Sequence, residues 1–128
     1  LGLRVRCLVM DAENLAFPDH TFDSVVSSLT VCTFADPVAA LREMARVCRA
    51  DGRILLLEHG RSNRDWLGRW QDRRADRHAR TLGCRWNREP LELVRQAGLA
   101  VITARRIFFG IFHVLAARPV GPAPAETP

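Results

Sequence analysis

Residues 7–32 read CLVMDAENLAFPDHTFDSVVSSLTVC, and the two places where an apolar run stops in this stretch decide the fold. The first run stops on Asp11. A polar loop containing Pro18 follows, and a second run opens at Phe22 and closes on Ser27 and Ser28. Residues 4–10, RVRCLVM, alternate and then turn continuously apolar, which is the pattern of a buried strand. Residues 22–28, FDSVVSS, read as a second short strand. An acid and two hydroxyls just beyond buried strands suit an open α/β sheet, whose ligands bind in the crevice outside the carboxyl ends of the strands.

Further along, Asp36-Pro37 is a helix start, with Asp as N-cap and Pro in the first turn. The spacing predicts a helix to about Arg49, with Val38, Leu41, Met44, Ala45 and Cys48 on one face. Asp51-Gly52 is expected to stop it. Residues 53–58, RILLLE, then read as a strongly buried strand. Strands apolar on both faces that alternate with helices indicate a parallel sheet. Residues 64–80 are helical in propensity, with Trp66, Leu67 and Trp70 on one side. Glu89-Pro90 opens another helix over 91–97. Residues 99–107 and 111–117 are strand-like, and so short a link around Gly110 makes them antiparallel neighbours.

Composition bounds the rest. The chain has 128 residues, 48% of them hydrophobic, which suits one domain with a real core. It has no initiator Met and no signal-peptide pattern, and is expected to be a segment of something longer. The longest apolar run, residues 107–117, is too short to span a bilayer. No pair of the four cysteines has C-x-x-C spacing and none stands close in sequence to a His, so no metal site is expected. Scattered thiols of this kind read as reduced and cytoplasmic. The net charge is +5, and every basic residue apart from His is Arg. Nine arginines fall between Arg61 and Arg88 against three acids. No helix-turn-helix, zinc pattern or aromatic interleaving accompanies them, so nucleic acid is not the expected partner.

Three strand ends carry the chemistry: Asp11-Ala12-Glu13, Ser27-Ser28-Leu29-Thr30 and Glu58-His59-Gly60. An Asp beyond a strand can accept from an exocyclic amine while the next backbone N–H donates to a ring nitrogen, which reads an adenine edge. The same Asp can equally cap a turn.

Residues 11–60 resemble the central stretch of class I S-adenosylmethionine-dependent methyltransferases. The pieces are the acid-Ala-acid after a strand, L-x-F-x-D-x-x-F-D, the D-P-x-x-A-L-x-E helix, R-V, and the D-G-x-x-L-L-L-E strand. Residues 59–99 are similar to the branch containing the methyltransferase-like 7, Oms1-like and ubiquinone-biosynthesis-type enzymes. The resemblance covers residues 3–118. It implies a truncated Rossmann-like fold: parallel strands, flanking helices and a carboxyl-terminal antiparallel hairpin. The family's G-x-G loop has no counterpart in these residues. The resemblance therefore implies a partial domain over 1–118, and the proline-rich residues 119–128 are expected to be a disordered tail.

By the same resemblance the cofactor is S-adenosylmethionine. Asp11 would bind the adenine amine and Ala12 the ring through its backbone N–H. Ser27, Ser28 and Leu29 would lie beneath the sulfonium and methionine, mainly through backbone. The acceptor would be a small or lipophilic thiol, quinol or lipid-like molecule. His59 is the candidate base for its proton; otherwise it is a loop residue making one hydrogen bond. Cys84 either lines the acceptor pocket or is a small buried apolar residue, and Cys32 and Cys48 read as core. The Trp side of the Arg-rich helix packs on the body and partly covers the site, or contacts a membrane surface. The alternative to an enzyme is a non-catalytic half-domain or interaction fragment that cannot bind cofactor alone. Exposed sheet edges in such a piece favour oligomers.

Overall fold

The computed structural model of the chain describes residues 2–120. The expected tail falls mostly on residues 121–128, outside the described residues. The elements are β1 (Phe22–Ser28), a 3-10 turn (Val31–Thr33), α1 (Pro37–Val47), β2 (Cys48–His59), α2 (Asp65–Leu82), α3 (Pro90–Gln96), β3 (Ala100–Ile107) and β4 (Phe112–Arg118). The sheet order is β1-β2-β4-β3. β1 and β2 are parallel, and β4 is antiparallel to both β2 and β3. The α/β class, the parallel pair and the terminal hairpin are those read from the sequence. The hairpin's second strand, not its first, joins the parallel pair.

α1 begins as its sequence dictates: the Asp36 carboxylate accepts from the Ala39 N–H at 3.0 Å, with Pro37 next. It ends at Val47, two residues before the expected stop, because Cys48 turns extended (φ -79, ψ 141) and opens β2 at once. Gly52 is therefore no helix cap. The β1–β2 register jumps there, from Phe22 opposite Cys48 to Ser24 opposite Arg53. A Cβ on Gly52 would sit 2.6 Å from the Asp23 carbonyl oxygen and 2.7 Å from the Cys48 sulfur. Glycine is needed for close backbone approach at this irregularity.

The core lies on one face of the sheet. Ile54 and Leu56 of β2 and Leu115 and Ala117 of β4 meet Leu41 and Met44 of α1 and Val94 of α3. Each large side chain buried there contributes about 1.5–3 kcal/mol. The opposite face carries Val26, Leu55, Leu57 and Val114, all exposed. The LLL run reads as buried on both sides, but among the described residues only one side is covered.

Residues 4–10 correct the sequence reading most. They form no strand, and Leu3, Val5 and Val9 are 84, 79 and 105% exposed. Apolar alternation supplies a strand's side chains but not its ladder. The edge of β1 and the edge of β3 pair with neither this segment nor any other described residue.

Candidate functional site

The carboxyl ends of β1 and β2 are joined by one carboxylate. Glu58 is fully buried. Its Oε1 accepts from Ser27 Oγ at 2.6 Å, and its Oε2 accepts from the backbone N–H of Thr30 at 2.9 Å and of Val31 at 3.1 Å. Bonds to a charged acceptor are worth about 1.5–3 kcal/mol each, so Glu58 fixes the turn leaving β1 against the end of β2. This geometry makes Glu58 a structural carboxylate that orients the turn.

The expected cofactor residues divide accordingly. Ser27 is buried, and its hydroxyl faces Glu58 and Thr30 Oγ1 (2.7 Å) rather than an open crevice. Ser28 and Leu29 are exposed on the rim. Leu29 holds φ at 55°, a conformation that costs a non-glycine residue about 1 kcal/mol. Its N–H donates to the Leu57 carbonyl at 2.8 Å, so that donor is already engaged. Asp11 is exposed and caps a turn: its Oδ1 accepts from the Glu13 N–H at 2.9 Å. Ala12 is half-buried beside it. Glu13 Oε1 accepts from the Asp36 N–H at 2.7 Å, tying the acid turn to the start of α1. Arg46 holds the following loop, donating to the carbonyls of Leu15 (2.9 Å) and Phe17 (2.8 Å) and to Asp19 (2.8 Å). The hydrogen bond from Arg46 lowers the pKa of Glu43, which accepts from the Leu15 N–H.

His59 ends β2 half-buried, with Nε2 3.5 Å from the Cys84 sulfur. Burial lowers its pKa from 6.5, so the ring is neutral at pH 7. Cys32, in the 3-10 turn, joins them: one ligand atom from each of Cys32, His59 and Cys84 lies within 4.8 Å of the others. Burial pushes the Cys32 thiol up to about 12, with the hydrogen bond to Cys84 adding to the shift. Backbone contacts hold the two cysteine loops together. The Arg85 N–H donates to the Cys32 carbonyl at 2.9 Å, and the Arg88 guanidinium donates to the Val31 carbonyl. His78 Nδ1 lies 2.8 Å from the Cys84 carbonyl while its ring stacks on Trp86 at 4.0 Å. Cys32 and Cys84 thus stand in one cluster with His59, a grouping their sequence spacing did not show. Cys48 is core, as read. A cleft of about 360 Å³ opens beside the cluster, lined by Cys32, Phe34, Arg80, Gly83, Arg85 and Arg88.

α2 turns a different side inward from the one expected. Gly68, Gln71 and Ala75 are buried, while Trp66 and Trp70 are 65 and 40% exposed. Gln71 accounts for the rotation. Its Oε1 accepts from the Ser62 N–H at 2.7 Å and its Nε2 donates to the Gly60 carbonyl at 3.0 Å. Gly68 lets the Arg61 guanidinium pass close to the helix. Trp70 instead packs on Trp86, with ring centroids 5.1 Å apart. No helix among the described residues is long and apolar enough to cross a membrane.

A family model described as a methyltransferase domain matches residues 1–56. The chain is 35% identical over 100 residues, 78% of its length, to the mitochondrial methyltransferase OMS1 of Saccharomyces cerevisiae, and covers 21% of that protein. It is 46% identical over 50 residues, 39% of its length, to phosphatidylethanolamine N-methyltransferase of Cereibacter sphaeroides, and covers 25% of that protein. The chain thus spans about a quarter or less of these relatives. A crystal structure of a SAM-dependent methyltransferase from Thermotoga maritima superposes with a TM-score of 0.65 at 23% identity, covering 88% of this chain and 63% of the other. Residues 1–56 thus match a methyltransferase domain in sequence, and the chain has the fold of a SAM-dependent methyltransferase.

Proposed function

We propose that this chain supplies the strand-end rim and acceptor side of an enzyme that moves a methyl group from S-adenosylmethionine to a small or lipophilic acceptor: a thiol, a quinol or a lipid-like molecule. The observation that carries the reading is the Glu58 lock, which holds the turn after β1 and the end of β2 in one fixed rim. Asp11 and Ala12 flank the adenosyl end, and Ser27, Ser28 and Leu29 lie under the methionine through backbone. Asp11 keeps its second carboxylate oxygen for an amine, since the turn engages one. His59 acts on the acceptor side. The transfer is an in-line displacement at the sulfonium methyl, so a rigid rim contributes mainly by aligning donor and acceptor. A lipid-borne acceptor agrees with the phosphatidylethanolamine named in one relative.

Two measurements test this. S-adenosylmethionine is titrated calorimetrically into the chain, alone and within its full-length gene product. The product is then incubated with methyl-labelled cofactor and a panel of an alkyl thiol, a demethylated quinol and phosphatidylethanolamine vesicles. Binding at one site and transfer of label to one acceptor class are expected. No heat and no transfer by the full-length product would end the reading. Heat from the full-length product alone would favour the second reading, that this chain by itself is a half-domain unable to hold cofactor. The exposed, unpaired residues 4–10 support that second reading.

A further inference from the structure

We propose that Cys32, His59 and Cys84 form a zinc site with one coordination position open toward the adjoining cleft. The three residues come from three separate elements: the 3-10 turn after β1, the last residue of β2, and the loop after α2. The donor set, two sulfurs and one imidazole nitrogen, is one that binds zinc with a fourth position left for an exchangeable ligand.

The geometry fits the ion. A tetrahedral zinc with bonds of about 2.3 Å to sulfur and about 2.05 Å to nitrogen holds those two atoms about 3.6 Å apart. The sulfur of Cys84 and Nε2 of His59 stand 3.5 Å apart. Cys32 completes a triangle with no side above 4.8 Å.

The surroundings are also built for it. The Arg85 N–H bond to the Cys32 carbonyl and the His78 contact to the Cys84 carbonyl fix both cysteine loops before any ion arrives. Gly83 ends α2 at φ 67° and turns the chain so that Cys84 follows immediately. Cys32 lines the 360 Å³ cleft, which gives an ion and a fourth ligand their route in. The cleft's arginines, Arg80, Arg85 and Arg88, favour an anionic fourth ligand such as a thiolate or hydroxide. His59 then serves as a ligand, not as a free base. The proposal stands apart from the methyl-transfer reading, because ion binding is measured without cofactor or acceptor.

The test uses the full chain, prepared reduced and metal-free. Zinc is titrated against a chromophoric chelator, and cobalt(II) is titrated as a spectroscopic substitute. Expected are one ion per chain and cobalt spectra with a thiolate charge-transfer band and tetrahedral d–d bands. Cys32→Ser, Cys84→Ser and His59→Gln should each weaken zinc binding by about a hundredfold or more, as loss of one of three protein ligands implies. Cys7→Ser, on an exposed segment, should leave it unchanged. A readout without substitution guards against unfolded variants: in the native chain, zinc should protect the half-buried Cys84 from iodoacetamide, located by mass spectrometry, while the exposed Cys7 stays reactive. The proposal is overturned by cobalt spectra lacking thiolate charge transfer, by equal alkylation of Cys84 with and without zinc, or by binding of copper(I) with none of zinc.

Discussion

Glu58 and His113 are both large, polar and buried, and they are handled in opposite ways. Glu58 has three donors on its two oxygens, so its burial is satisfied. His113 is 1% exposed and its Nε2 has no partner. Burial lowers its pKa from 6.5, and the neighbouring Arg106 cation lowers it further. A backbone hydrogen bond at Arg61 and the Glu89 carboxylate oppose the shift without cancelling it. The folded state therefore prefers the neutral ring. His113 contributes its full stability above the unfolded value of about 6.5, and that contribution is lost as pH falls from there through the folded value. Urea midpoints measured at pH 7.5 and pH 5.5 should drop at the lower pH. In His113→Leu, which keeps the volume and removes the titration, the drop should shrink. An equal drop in both proteins would show that the acid sensitivity lies elsewhere.

Among the elements, α2 departs most from its sequence pattern. Its aromatic residues suggest an inward stripe, yet the helix packs through Gly68, Gln71 and Ala75. A glutamine that satisfies a backbone N–H and a backbone carbonyl in a buried corner outweighs the area a tryptophan would bury, because each of those groups left unpaired costs about 1–3 kcal/mol. Trp66 is left exposed, as are Arg64, Arg69 and Arg73 of the same stretch. An exposed indole on an arginine-rich helix suits an anionic bilayer surface. We propose that contact, and it predicts co-sedimentation with vesicles rich in anionic lipid and not with zwitterionic ones. Trp66→Ser should reduce the bound fraction several-fold without changing the far-ultraviolet spectrum. Binding that is indifferent to lipid charge, or to this substitution, would remove the idea.

At the scale of the whole molecule, the described residues form a four-stranded sheet with α1 and α3 packed on one face. Its other face presents Val26, Leu55, Leu57 and Val114 at 39–68% exposure, next to an edge of β1 that pairs with no other described residue. Contiguous apolar surface beside an open edge is an association hazard. Sedimentation equilibrium of the isolated chain should show an average mass rising above 14.4 kDa with concentration. The double variant Leu55→Lys, Leu57→Lys should restore the single-chain mass, since both side chains point to the open face and leave the covered core alone. A mass of one chain at every concentration tested would contradict this.

The sequence by itself determined the local structure, for local reasons. Asp36-Pro37 starts a helix wherever it stands ahead of an apolar face, and the short link at Gly110 permits only an antiparallel hairpin. The acid-Ala-acid, L-x-F-x-D-x-x-F-D, D-P-x-x-A-L-x-E, R-V and D-G-x-x-L-L-L-E pieces pointed to the methyltransferase family in combination. What depended on distant partners was decided only in three dimensions. Residues 4–10 have a strand's alternation but no neighbour for a ladder, so they form no strand and residues 4–9 stay exposed. α2 chose its inward side by the unpaired backbone groups of Gly60 and Ser62, which no helical period reveals. Cys32, His59 and Cys84 lie 27 and 25 positions apart in the chain, far beyond any short metal-binding spacing. Only the parallel pairing of β1 with β2 and the return of the chain after α2 bring their donor atoms together, because proximity in space is a property of the folded sheet and not of sequence distance.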